Sequence, residues 1–137
     1  MTDTEMLLLA LGFQPSYKGF AQLVDILHYE RENNHYGHGL TKCVYPVIAK
    51  KHNTTASAVE RNVRTAIVAA CDKRQGILLN RFFSTISSDI PTNHEVISFL
   101  NTLLKSNDWD KTLLSLQKAI IIQNESMKIL NDPNITK

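Results

Sequence analysis

Cysteines, long hydrophobic runs and glycine-rich loops are scarce in this sequence. The 137 residues include two cysteines, Cys43 and Cys71, whose wide separation favours small core residues in a reducing compartment over a disulfide or a metal role. The apolar runs Met6–Leu11 and Ile120–Ile122 are too short to span a membrane, and the first lacks the basic flank of a signal peptide. We therefore expect a cytoplasmic protein without a membrane segment.

Residue patterns typical of catalysis or metal binding are missing as well. No nucleophile stands in a recognisable pattern with a base, and no glycine-rich loop is suited to a phosphate. His35 and His38 share a loop with two glycines, but the three or four converging ligands that a zinc site needs are missing. The sequence therefore predicts no enzyme, no cofactor and no metal site.

Amphipathic helical periodicity is what the chain does have. Hydrophobic residues make up 43% and charged residues 20%, near the globular average, and no stretch shows the sustained alternation of a strand. Residues 2–5 favour a helix start before Met6–Leu11, and Gly12 ends that helix. A second predicted helix, Gly19–Glu32, buries one face and exposes the other: Phe20, Leu23, Val24, Leu27 and His28 against Asp25, Glu30, Arg31 and Glu32.

The second half of the chain continues this pattern. Residues 77–86 are predicted to form a short helix or turn, and a further helix begins after Pro91, capped by Thr92 or Asn93. Its expected buried stripe is Val96, Phe99, Leu100, Leu103 and Leu104. Apolar residues spaced by three and four from Leu113 to Leu130 predict an extra C-terminal helix, which either packs on its own domain or pairs with a second copy. The fold class is therefore all-α: a bundle of about six helices over 1–105, with the extra helix and tail in 106–137.

Residues 40–74 have the pattern of a helix-turn-helix. Pro46 suits a first helical turn, and a short apolar helix then runs into the basic pair at 50–51. The hydrophobic pattern breaks at 52–55, where three residues are able to cap a new helix: Thr54, Thr55 or Ser57. A second helix follows from Ala56 to about Cys71.

This second helix separates an apolar face from a polar one. Its apolar residues recur at the spacing of one buried stripe: Val59, Val63, Ala66, Ile67 and Ala70. The opposite face consists of small residues and two arginines: Ser57, Ala58, Arg61, Arg64 and Thr65. Small side chains permit a close approach to the major groove of DNA, and guanidinium groups bind guanine edges or phosphates. These are the properties of a recognition helix.

Positive charge is concentrated on the same segment. Residues 40–75 contain seven basic and two acidic side chains, a net charge of +5, whereas 1–39 carry −3 and 76–137 carry zero. Binding to DNA phosphates requires such a local excess. The predicted phosphate contacts are Lys42, Lys50, Lys51, Lys73 and Arg74.

The sequence of Leu40–Ile67 is LTKCVYPVIAKKHNTTASAVERNVRTAI. This segment resembles the DNA-binding effector domain of the stage-zero sporulation protein A family of response regulators. Two flanking runs are similar to the opening and closing helices of that domain: LGFQPSYKGFAQLVDIL upstream and PTNHEVISFL downstream. The resemblance therefore covers Thr4 to Leu104. It implies an all-helical bundle whose helix-turn-helix reads short operator boxes. Because the resemblance begins within a few residues of Met1, we expect an effector domain without a receiver domain.

The resemblance also implies roles for individual side chains. The predicted base contacts are Ser57, Glu60, Arg61, Arg64 and Thr65. Glu60 and Arg61 match a Glu-Arg pair that reaches base edges in the family, where a carboxylate accepts from cytosine N4 and an arginine binds guanine O6 and N7. Ala58 stands where related regulators typically have arginine, and Thr65 where they commonly have histidine. We therefore expect a different operator or a lower affinity.

Taken together, these patterns predict a sequence-specific transcription regulator of the bacterial nucleoid that binds double-stranded DNA in the major groove, as a homodimer or as adjacent copies. Without the resemblance, Glu60 and Arg64 would fit an ordinary i, i+4 surface ion pair. The alternative hypothesis is a degenerate interaction module that has lost DNA affinity and modulates a full-length regulator.

Overall fold

The computed structural model describes residues 2–33, 39–72, 90–106 and 111, and every regular element in these ranges is helical. Five α-helices are present there: α1 Asp3–Ala10, α2 Lys18–Glu32, α3 Tyr45–Lys51, α4 Ala56–Ala70 and α5 Asn93–Lys105. A short π-helical segment, Leu40–Val44, leads into α3. The all-α prediction is confirmed for this part of the chain. Except for Lys111, the predictions for 34–38, 73–89 and 107–137 concern residues outside the described ranges.

The described residues up to 106 belong to one compact unit, Met1–Asn107, whereas Lys111 belongs to a second, Asp108–Lys137. In the first unit, α2 packs against the other four helices, and α4 packs against α2, α3 and α5. The core consists of apolar side chains from all five helices, among them Leu7, Leu23, Ile48, Ile67 and Leu100.

Local sequence signals explain both ends of α1. The Thr2 hydroxyl accepts a hydrogen bond from the Glu5 N–H at 3.2 Å and so caps the helix start. At the other end Gly12 has φ of 99°, a left-handed conformation that glycine adopts without strain. This conformation lets the Phe13 N–H donate to the Leu8 carbonyl at 3.0 Å, which closes the helix in a Schellman motif.

Helices α2 and α4 approach each other at Gly19. A Cβ atom at this position would lie 2.2 Å from the backbone oxygen of Asn62, far inside van der Waals contact. Only glycine therefore permits the two backbones to pack at this distance. The contact fixes α4 against α2.

The prediction that Glu30 faces solvent was wrong. Its side chain is 0% exposed and accepts a hydrogen bond from Asn101 Nδ2 on α5 at 2.7 Å. Arg31, predicted to be exposed, is half-buried and donates to the Thr4 hydroxyl of α1 at 2.7 Å. The last turn of α2 is thus covered from two sides, and a carboxylate is tolerated there because it is hydrogen-bonded.

Two further burial predictions need correction. The buried face of α5 contains Val96 and Leu100 as expected, but it is completed by Ile97 and Asn101, whereas the other three residues of the predicted stripe are only partly buried: Phe99, Leu103 and Leu104. The buried face is therefore rotated toward α2 and α4, against which α5 packs. Both cysteines are free, and Cys71 is buried, but Cys43 is exposed because it lies on the outer side of the π-helical segment.

Candidate nucleic-acid interface

A tight turn at 52–55 connects α3 to α4, as the break in the hydrophobic pattern predicted. Asn53 has φ of 54°, and asparagine is one of the few residues other than glycine that tolerate this left-handed conformation. The Thr54 N–H donates to the Ala49 carbonyl at 2.9 Å, and the Asn53 N–H to the Lys50 carbonyl at 3.3 Å. These two bonds close α3 without a glycine.

Of the three predicted capping residues, Thr55 is the one that caps α4. Its hydroxyl accepts a hydrogen bond from the Ala58 N–H at 3.1 Å. Ser57 consequently lies inside the first turn of the helix, where its side chain is exposed. This start sets the register in which the following side chains divide between core and surface.

The two faces of α4 are those that the periodicity predicted. All five apolar residues of the stripe are buried: Val59, Val63, Ala66, Ile67 and Ala70. Four of the five predicted base contacts are exposed: Ser57, Glu60, Arg61 and Thr65. Arg64 and Ala58 are partly exposed. The Thr65 hydroxyl donates to the Arg61 carbonyl at 2.9 Å within the helix, so its oxygen and methyl group are what it presents outward.

The exposed face of α4 forms one wall of an open groove of about 1060 Å³, which we call the α4 groove. The other walls are the π-helical segment, the start of α3 and the start of α5. Its lining comprises Gly39, Leu40, Thr41, Lys42, Tyr45, Ser57, Glu60, Arg61, Arg64, Thr65, Val68, Thr92, Asn93 and His94. All five predicted base contacts and Lys42 are therefore brought to one concave surface.

The basic pair at the end of α3 lies outside the α4 groove. Lys50 is exposed. Lys51 is also exposed, with 65% of its side chain accessible, but its Nζ is 3.0 Å from Asp25 Oδ1 on α2. The other Asp25 oxygen is 2.6 Å from His52 Nε2. Although the Asp25 side chain is only 18% accessible, an ion pair with an exposed lysine typically stabilises by about 1 kcal/mol or less, so a phosphate is able to compete with Asp25 for Lys51. Lys73 and Arg74 are outside the described residues.

A hydrogen-bonded cluster joins the start of α5 to the inner edge of the groove. Asn93 Nδ2 donates to the Glu60 carbonyl at 3.1 Å and to the Tyr45 hydroxyl at 3.2 Å. Arg64 Nη1 donates to the Pro91 carbonyl. Sequence reasoning did not identify Asn93 or Tyr45 as part of the site. The available signal was that Thr92 alone suffices to cap α5, which leaves the adjacent amide for another partner.

Burial raises the pKa of two groups at this cluster, the Tyr45 phenol and the Cys71 thiol. It raises the pKa of the Tyr45 phenol above its ordinary value, opposed by the hydrogen bond from Asn93 and reinforced by the negative charges of Glu60 and Glu30. Burial also raises the pKa of the Cys71 thiol, and the Arg64 charge opposes that shift. Tyr45 is thus a neutral hydroxyl at neutral pH and remains able to accept from Asn93.

Within the described ranges there is no group of three or more His, Cys, Asp or Glu side chains arranged to hold a metal ion. Over the same ranges, none of the helices is long and apolar enough to cross a membrane.

The family model described as "Sporulation initiation factor Spo0A C terminal" matches residues 4–104 of the 137. The match confirms the resemblance and its extent, from the first helix through α5. The family consists of DNA-binding effector domains and is regulatory rather than enzymatic. This chain, whose α4 brings a polar and basic surface to the groove, belongs to the Spo0A C-terminal domain family.

Proposed function

We propose that the chain is a sequence-specific transcription regulator of the bacterial nucleoid, and that α3, the turn at 52–55 and α4 are its helix-turn-helix. The observation that supports this most strongly is the division of α4 into a buried apolar stripe and an exposed polar face. A helix held to the core by one face is able to enter the major groove with the other. The family assignment makes DNA the ligand that this surface is expected to bind.

Arg61 and Glu60 are the proposed principal base contacts. Both are exposed at the start of α4, the end of a recognition helix that usually meets the base edges. Arginine pairs in bidentate fashion with guanine O6 and N7, and a glutamate accepts from cytosine N4. Two neighbouring residues of this type suit a base-pair step that presents both a guanine and a cytosine in the major groove.

Ser57 and Thr65 are proposed as the secondary base contacts. The Ser57 hydroxyl lies in the first turn of α4 and is able to donate or accept. The Thr65 hydroxyl already donates to the Arg61 carbonyl, so Thr65 is left to accept from a base amine or to contact a thymine methyl group.

The proposed phosphate contacts are Lys42 at the groove and Lys50 and Lys51 at the end of α3. Lys51 would exchange Asp25 for a phosphate oxygen on binding. The local excess of positive charge extends this set to Lys73 and Arg74. Each phosphate that a lysine neutralises releases counterions, so binding should weaken steeply with salt.

The test is to select bound sequences from a pool of duplexes with a randomised centre, and then to titrate the recovered duplex and a scrambled duplex by fluorescence anisotropy at two salt concentrations. We expect one enriched sequence, bound at least about a thousandfold more tightly than the scrambled duplex, with a steep dependence on salt. Equal binding to both duplexes at every salt concentration would contradict the proposal and favour a protein-interaction module.

A further inference from the structure

The first turn of α5 is bound to the part of α4 that contains the proposed principal base contacts. Asn93 lies at the start of α5, and its Nδ2 reaches the Glu60 carbonyl at 3.1 Å and the Tyr45 hydroxyl at 3.2 Å. An amide nitrogen has two hydrogens, so both acceptors are served at once. One side chain therefore connects α3, α4 and α5.

Arg64 makes a second connection one helical turn further along α4. Its Nη1 donates to the carbonyl of Pro91, a buried residue that directly precedes the α5 cap. Unlike Arg61, Arg64 is half-buried, and its guanidinium group is directed to a protein acceptor. Segment 91–93 is thus held to α4 at both Arg64 and Glu60.

We propose that Asn93 and Arg64 are positioning residues of the DNA-reading surface, and that they determine sequence discrimination without contacting the discriminated bases. This inference rests on the proposed function. It assigns to Arg64 a role different from the base contact that the sequence suggested.

The physical reason is the directionality of the two kinds of DNA contact. Hydrogen bonds to base edges weaken steeply as their angle departs from linear, so a small rotation of α4 weakens the contacts of Glu60 and Arg61 together. Lysine contacts to phosphate behave as a point charge on a flexible stem and tolerate the same rotation. Loosening segment 91–93 should therefore lower specificity while leaving non-specific affinity nearly unchanged.

Asn93→Asp is the sharpest probe of this arrangement. It preserves the size of the side chain but replaces the donating nitrogen by an oxygen that faces the Glu60 carbonyl. Oδ1 of Asn93 is buried without a hydrogen-bond partner, so donation by Nδ2 is what the amide contributes here. Asn33→Asp is the matched control, because it adds the same charge where the amide donates to the Tyr29 carbonyl of its own helix.

The experiment measures the ratio of affinities for the selected and the scrambled duplex, well below the thermal midpoint of each variant. We expect Asn93→Asp to lower this ratio about tenfold, whereas Asn33→Asp leaves it unchanged. Asn93→Asp should lose more affinity for the scrambled duplex than Asn33→Asp, because Asn93 lines the α4 groove and Asn33 does not, but repulsion of phosphates is independent of sequence and leaves the ratio unaffected. An equal ratio in the two variants would overturn the inference, and failure of the parent to enrich any sequence would overturn the proposed function with it.

Three further variants separate positioning from base contact and from loss of stability. Arg64→Lys should reduce discrimination at every base pair read by Glu60 and Arg61, and a loss confined to one other base pair would instead identify Arg64 as a base contact. Tyr45→Phe removes only one acceptor of Asn93 and keeps the buried ring, so we expect it to fold and to lower the ratio by a smaller factor. Ile97→Val, a core change in α5, should lower the thermal midpoint without changing the ratio.

Discussion

The two faces of α4 differ in composition and burial, and we expect them to differ in the consequence of substitution. On one face five apolar residues between Val59 and Ala70 are buried against α2, α3 and α5. On the other, Ser57, Glu60, Arg61 and Thr65 are exposed and line the α4 groove. Both faces have the same backbone and the same caps. The difference predicts that stability and the proposed DNA recognition are separable properties of one helix.

Ile67→Ala should have the largest effect on the buried face. The side chain is 0% exposed, and truncating such a residue leaves a cavity, so we expect a loss of about 2–5 kcal/mol in the free energy of unfolding. Urea denaturation followed by circular dichroism measures it. Thr65→Ala, two residues away on the exposed face, is the control and should change stability by no more than about 0.5 kcal/mol. Similar losses in the two variants would contradict the division of the helix.

Gly19→Ala tests how closely the buried side of α4 is packed. An added Cβ would overlap the Asn62 backbone oxygen, and because a backbone atom cannot turn away, we expect a loss of about 1–3 kcal/mol in unfolding free energy. In an open helix the same substitution would stabilise by about 0.5–1 kcal/mol.

Ala21→Gly, at an exposed position of the same helix, provides the calibration for that propensity. If Gly19→Ala instead raised the urea midpoint by the amount that Ala21→Gly lowers it, the close contact between α2 and α4 would be excluded.

The periodicity of α4 and the chemistry of its ends were sufficient to predict its boundaries and its two faces. Those signals are local, because a cap and its acceptor are three residues apart and a stripe repeats every three or four. The Glu30 and Asn93 contacts were not predictable in this way. Their partners, Asn101 and the Glu60 carbonyl, are 71 and 33 residues away in sequence. Periodicity assigns a charged or polar residue to the surface by default, and only the packed helices show otherwise.

In the candidate site too, local features were predictable from the sequence, whereas contacts between distant residues were not. The exposed residues of α4 were predicted from helical spacing and from the family resemblance. Both signals can be recognised within the sequence of this one helix. The engagement of Arg64 with Pro91 and of Lys51 with Asp25 depends on helices brought together by the fold. From side-chain type alone, Arg64 would be expected to be as available to DNA as Arg61, and Lys51 as available as Lys50.

Lys50→Ala should have the smallest effect, and one limited to the basic end of α3. Removing one phosphate contact should flatten the slope of log affinity against log salt by about one unit for specific and scrambled duplexes alike. Lys51→Ala should flatten it less, because Lys51 already bonds Asp25. Lys18→Ala, on α2, is the control for loss of charge. Equal slopes in the Lys50 and Lys18 variants would remove Lys50 from the proposed contacts.

The most direct test of the central claim, that the exposed face of α4 reads bases, is the affinity of Arg61→Ala for the selected and the scrambled duplex. Arg61 is exposed and its side chain has no role in the core, so the urea midpoint should equal that of the parent. We predict that the selected duplex loses about 1–3 kcal/mol of binding free energy, while the scrambled duplex loses only what one charge contributes. An Arg61→Ala variant that discriminated between the two duplexes as well as the parent does would contradict the account.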